Sequence, residues 1–89
     1  MKIHKNITIK GRVQGVGFRY SALKKALEYN IFGYVKNQYD GSVYIEAEGE
    51  EINIENFIRW CKNGPRYSYV IDVEITDGSV KNYSSFYVR

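Results

Sequence analysis

One stretch of this sequence has the residue types to grip an anion: Gln14-Gly15-Val16-Gly17-Phe18-Arg19. It follows an alternating apolar segment and precedes a helical one, so it is a loop that enters a helix. In such a loop, consecutive main-chain N–H groups can turn toward a single anion. Gly15 and Gly17 permit positive φ and let a ligand approach the backbone closely. The helix behind them aims its unbonded N–H groups and positive dipole end at the same place. Arg19 stands at the junction, and its planar guanidinium can bind two oxygens of one phosphoryl group. The chemistry implied is phosphate binding by backbone and one fixed cation. The stretch is not a Walker A loop, because no Gly-Lys-Ser/Thr follows. Nor is it a dinucleotide fingerprint, because Gly-x-Gly-x-x-Gly is incomplete. Glycines after a strand also serve as plain turns, and an arginine at a helix start is often a solvated surface residue. On residue types alone both readings stand.

The elements that must position this loop are legible as periodicities. Ile3, Ile7, Ile9 and Val13 share one parity, which predicts a strand with one buried face. Ala22, Leu23, Ala26, Leu27 and Ile31 recur at helical spacing, predicting a helix from about Arg19 to Asn30. Residues 33–37 read as a second strand, and Asp40-Gly41 as a tight turn. In residues 42–48, Val43, Ile45 and Ala47 alternate with Tyr44, Glu46 and Glu48, so the two strands form a hairpin. Ile54, Phe57, Ile58 and Cys61 mark a second helix, stopped by Asn63-Gly64-Pro65. Residues 69–76 place Tyr69, Ile71, Val73 and Ile75 on one side of a further strand, and Phe86-Tyr87-Val88-Arg89 ends the chain with a short one. The order βαββαβ with right-handed crossovers predicts an α+β, ferredoxin-like sandwich. It has a four-stranded antiparallel sheet, two helices on one face and a short C-terminal strand. Many functions occupy that fold, so it decides none of them.

Composition narrows the rest. With 89 residues the chain is one domain, and its core is a single layer deep. Its 13 basic and 10 acidic residues leave a net charge of +3, enough to favour a small anion but too dispersed to demand nucleic acid. No apolar run is long enough to span a membrane, and no apolar segment behind Met1-Lys2-Ile3-His4-Lys5-Asn6 predicts a signal peptide. One cysteine and one histidine cannot form a disulfide framework or the usual Cys/His zinc site, which points to a reducing, cytoplasmic setting.

The loop also carries a resemblance. Gly11-Arg12-Val13-Gln14-Gly15-Val16-Gly17-Phe18-Arg19 resembles the signature of the acylphosphatases. The likeness continues through Gly33-Tyr34-Val35-Lys36-Asn37, Asp40-Gly41-Ser42-Val43, Phe57-Ile58-Arg59-Trp60 with Gly64-Pro65, and Phe86-Tyr87-Val88-Arg89. It covers nearly the whole chain, in order. It implies the same ferredoxin-like fold and a free-standing enzyme that hydrolyses a carboxyl phosphate to carboxylate and inorganic phosphate. No metal or cofactor is implied. By the same resemblance Arg19 binds the phosphate, Asn37 positions the attacking water, and Gln14, Gly15, Val16, Gly17 and Phe18 form the backbone cradle. The expected partners are a small acyl phosphate and inorganic phosphate, with no nucleic acid or membrane, and a monomer suffices. Gln38-Tyr39 and Arg66-Tyr67-Ser68 depart from the smaller residues common in relatives, which bears on substrate preference.

The implied reaction suits these side chains. A carboxylate leaving group, with a pKa near 4, departs without a protein acid. The site therefore needs neither a histidine nor a carboxylate pair. Asn37 can accept a hydrogen bond from water but is a poor base, so its role is orientation. Alone it would read as a strand-end residue. The remaining reactive types read as structure. His4 is expected to be an exposed sheet residue, Cys61 to pack in the core, and Trp60 to pack at its edge. Glu46 and Glu48 are expected to keep one sheet face soluble, as are Asp72 and Glu74, and Lys24 and Lys25 to form a solvated helix face. Nine tyrosines also raise a rival reading, a sheet that stacks single-stranded RNA. The RNP signature is absent, and Glu46 and Glu48 oppose it. A phosphate sensor that turns nothing over is a third reading.

Overall fold

A computed structural model describes residues 1–89. The chain forms β1 (Lys2–Arg12), α1 (Phe18–Glu28), β2 (Phe32–Asn37), β3 (Val43–Glu50), α2 (Glu51–Asn63), β4 (Tyr69–Gly78) and β5 (Phe86–Val88). The strands make one sheet in the order β4-β1-β3-β2-β5. The four long strands pair antiparallel as expected. The short last strand joins them as a fifth, parallel to β2.

Alternation explains the core. Ile7 and Ile9 of β1, Val35 of β2, and Val43, Ile45 and Ala47 of β3 point to the helical side and are fully buried. They meet Ala22 and Ala26 of α1 and Ile54, Phe57 and Cys61 of α2 in one cluster. Helix α1 packs on β2 and β5, and α2 packs on β1, β3 and β4. Burying a side chain the size of Phe57 contributes about 1.5–3 kcal/mol. Small alanines on α1 let that helix lie close to the sheet, and Phe57 and Phe86 fill the space between layers with ring centroids 6.1 Å apart.

Four expectations need correction. Helix α1 spans Phe18–Glu28 rather than 19–30, because Asn30 turns the chain out at φ 56°. Leu27 is 66% exposed, since the buried stripe of α1 runs through Phe18, Ala22 and Ala26. In β4 the register shifts opposite Lys10 and Gly11. A bulge adds one residue and so swaps the faces beyond it. Val70 and Val73 therefore pack inward, while Tyr69 and Ile71 lie 69% and 72% exposed.

The fourth correction concerns the sheet face away from the helices. His4, Glu46 and Glu48 are buried, at 3%, 7% and 0% exposure. They share that face as the parity predicts, and His4 sits directly across from Glu48. What buries them is the segment 79–85, which runs from β4 at one sheet edge to β5 at the other. Glu48 accepts hydrogen bonds from the main-chain N–H groups of Lys81 and Tyr83. His4 Nδ1 donates to Glu48 at 2.7 Å, and Nε2 lies 2.9 Å from Asn6 Oδ1. Glu46 accepts from the hydroxyls of Tyr34, Tyr44 and Tyr83 and from Lys81 Nζ. Burial pushes the Glu46 carboxyl up, but these donors outweigh it and hold its pKa at about 2.

Candidate active site

The loop after β1 is shaped by where its side chains anchor. Val13 and Phe18 are buried and Val16 packs against the core. The Phe18 ring lies 5.3 Å from Trp60. Between these anchors Gly15 and Gly17 face outward with φ of 74° and 78°. No atom lies within 4 Å of where a Cβ on either would stand. That leaves the backbone bare. The main-chain N–H groups from Gly15 to Arg19 find no acceptor in the protein. Gly17 caps α1 without a side-chain cap, and the first turn of α1 holds no acidic residue. The positive end of the helix is thus neither capped nor neutralised.

Across from the loop stands the end of β2. Gly15, Gly17, Phe18, Arg19 and Asn37 line one cleft of about 350 Å³, together with Val13, Tyr20 and Val88. The structure therefore brings together Arg19, Asn37 and three residues of the expected cradle, although β3 lies between β1 and β2. Asn37 is half-buried, and its carboxamide has no protein hydrogen-bond partner. Arg19 is exposed and donates from Nη1 to the main-chain oxygen of Arg89 at 2.8 Å. No carboxylate, imidazole or thiol lines the cleft. No group of three His, Cys, Asp or Glu side chains is arranged to hold a metal ion.

Gln14 and Val16 do not line the cleft with their side chains. Val16 is an anchor. Gln14 instead donates from Nε2 to the main-chain oxygens of Gln38 and Ser42, at 2.7 and 2.9 Å. It ties the loop to the β2–β3 turn that follows Asn37. That turn is closed by Gln38 N–H to Ser42 O at 2.9 Å and by Asp40, which accepts from both the N–H and the hydroxyl of Ser42.

Sequence reasoning missed Tyr20, Val88 and Arg89 as neighbours of the site. Tyr20 could have been found, as it follows Arg19 in the first helical turn. Val88 and Arg89 carry no local signal, because they arrive only through the parallel pairing of β5 with β2.

The family model for acylphosphatase matches residues 5–88. An acylphosphatase of Archaeoglobus fulgidus is 48% identical over 82 residues, covering 92% of both chains. One from Nocardioides is 42% identical over 84 residues, 94% of this chain and 85% of the relative. The crystal structure of acylphosphatase from Bacillus subtilis superposes with a TM-score of 0.95 at 39% identity, covering 98% of each chain. A match across the whole length, in sequence and in fold, shows that this chain belongs to the acylphosphatase family, enzymes that hydrolyse acyl phosphates.

Proposed function

We propose that this enzyme cleaves the carboxyl–phosphate bond without a metal, using the 14–19 loop, Arg19 and Asn37. One observation carries the reading: a run of unpartnered main-chain N–H groups opens on the same cleft as an arginine and an unpartnered asparagine. The N–H groups from Gly15 to Phe18 and the Arg19 guanidinium hold the phosphoryl oxygens. Asn37 accepts a hydrogen bond from water and aims its oxygen at phosphorus. As the P–O(water) bond forms, the P–O(acyl) bond breaks on the opposite side and the carboxylate departs with the electron pair. The water proton passes to a phosphoryl oxygen of the substrate. Charge spreads over the equatorial oxygens in a loose transition state, so fixed N–H dipoles and one cation do the stabilising. A site contained in one chain suits a monomer acting on small acyl phosphates. The lone Cys61 thiol, fully buried with its pKa pushed up by burial, suits a reducing cytoplasm.

The test is hydrolysis of acetyl phosphate by wild type and Arg19→Gln, each with and without EDTA. Turnover that resists EDTA and falls at least 10²–10³-fold in a folded Arg19→Gln is the expected result. Inhibition by EDTA would overturn the metal-free reading. Full activity in the variant would remove Arg19 from the mechanism.

A further inference from the structure

An exposed arginine on the first turn of a helix ordinarily samples several rotamers, and fixing it costs side-chain entropy. Arg19 is not left free. Its side-chain hydrogen bond goes to the main-chain oxygen of Arg89, which lies just beyond β5. A three-residue edge strand is a poor anchor by itself, because chain ends and edges fray. Two contacts hold Arg89, and both come from adjacent residues of β2. Its N–H donates to the Val35 oxygen at 2.8 Å. Its guanidinium lies 4.0 Å from the centroid of the Tyr34 ring.

The Tyr34 ring is itself fixed. It is 8% exposed, and its hydroxyl donates to Glu46 Oε2 at 2.9 Å. Tyr34 and Glu46 are directly paired across β2 and β3, on the face away from the helices. The Tyr83 ring packs against it in a T-shaped arrangement, with ring centroids 6.0 Å apart. The negative carboxylate at the far end of the ring enriches the face that meets the cation. A continuous chain of contacts therefore runs from the buried face of the sheet to the cleft on the other side: Glu46, Tyr34, Arg89, Arg19.

We infer that Tyr34 is a positioning residue for Arg19, acting through the Arg89 guanidinium stacked on its ring. The inference rests on the proposed role of Arg19 in phosphate binding. It assigns a functional consequence to a tyrosine outside the cleft and to the carboxylate that orients it.

The experiment measures the Kd of inorganic phosphate and the KM for acetyl phosphate in Arg89→Leu, Tyr34→Leu and the double variant, well below the unfolding temperature of each. Arg19→Gln is run beside them. Arg89 is exposed and its leucine variant keeps the main-chain oxygen, so this arm stands even where Tyr34→Leu fails to fold. The expected result is a weakening of phosphate binding by severalfold to about tenfold in each single variant, the size of a lost cation–π contact. The double variant is expected to be no weaker than the worse single, because both remove one contact. Phosphate binding within twofold of wild type in Arg89→Leu, with Arg19→Gln still impaired, would overturn the inference and leave the Arg19 assignment standing. Multiplied losses in the double variant would overturn it too. An Arg19→Gln that binds phosphate normally would instead remove the assignment beneath it.

Discussion

In the proposed mechanism Asn37 and Arg19 divide the work by what their side chains can offer. A guanidinium supplies charge and paired donors, so its loss weakens every state in which phosphate is bound. A carboxamide supplies only direction, so its loss acts when water must be aligned. Asn37→Ala is therefore expected to lower kcat about 10–100-fold while inorganic phosphate inhibits as strongly as before. Steady-state kinetics with phosphate as the inhibitor checks this. An equal loss of phosphate affinity would sink the division of roles. At this scale the sequence marked the glycines and the arginine as one loop, and the structure brings them to one cleft. It misjudged His4, Glu46 and Glu48. A histidine or glutamate on a polar strand face reads as solvated, and only a second covering layer makes it a buried, fully partnered group.

Among the elements, the loop and the β2–β3 turn act as one unit because Gln14 bonds two carbonyls of the turn. Each carbonyl keeps a second donor, the N–H of Gly41 for Gln38 and the N–H of Gln38 for Ser42, so the loss is two hydrogen bonds worth roughly 0.5–1.5 kcal/mol each. Gln14→Ala is expected to destabilise the fold by about 1–2 kcal/mol and to lower kcat more than Arg19-dependent phosphate binding. Denaturant unfolding and kinetics on the same preparation would show both effects. Unchanged kinetics would mean that Asn37 is held by its own strand alone. This link was not legible beforehand, since a glutamine in a glycine-rich loop carries no mark of where its amide goes. The β4 bulge was hidden for a similar reason. Strict alternation predicts one face, while a single extra residue moves Val70 inward and Tyr69 and Ile71 out.

For the whole molecule, the segment 79–85 turns an ordinary two-layer sandwich into one whose outer sheet face is partly closed. Its anchors are carboxylates, so acid should loosen it. Glu46 titrates near 2 in the folded chain against an ordinary 4.5, and Glu48 is also held low by its N–H and His4 donors despite burial. A depressed carboxylate stabilises the fold above the unfolded value, and that stability is lost as pH falls toward the folded one. Between pH 7 and pH 3, wild type is expected to lose on the order of 2 kcal/mol more than Glu46→Gln. Urea unfolding at the two pH values measures it. Parallel losses in the two proteins would show that Glu46 is not the anchor.

The sequence by itself determined the element order, the core stripes and the loop, because periodicity, glycine and turn chemistry are local properties of the chain. It also carried enough of the family's motifs to imply Arg19 and Asn37. Tertiary structure alone decided that these two face one cleft, since β3 separates their strands and only the sheet order joins them. It alone decided that Arg89 meets Arg19 and stacks on Tyr34, and that His4 and Glu48 lie in the dark. Those contacts join residues more than forty positions apart, and no short-range pattern encodes which distant segment will cover a polar face.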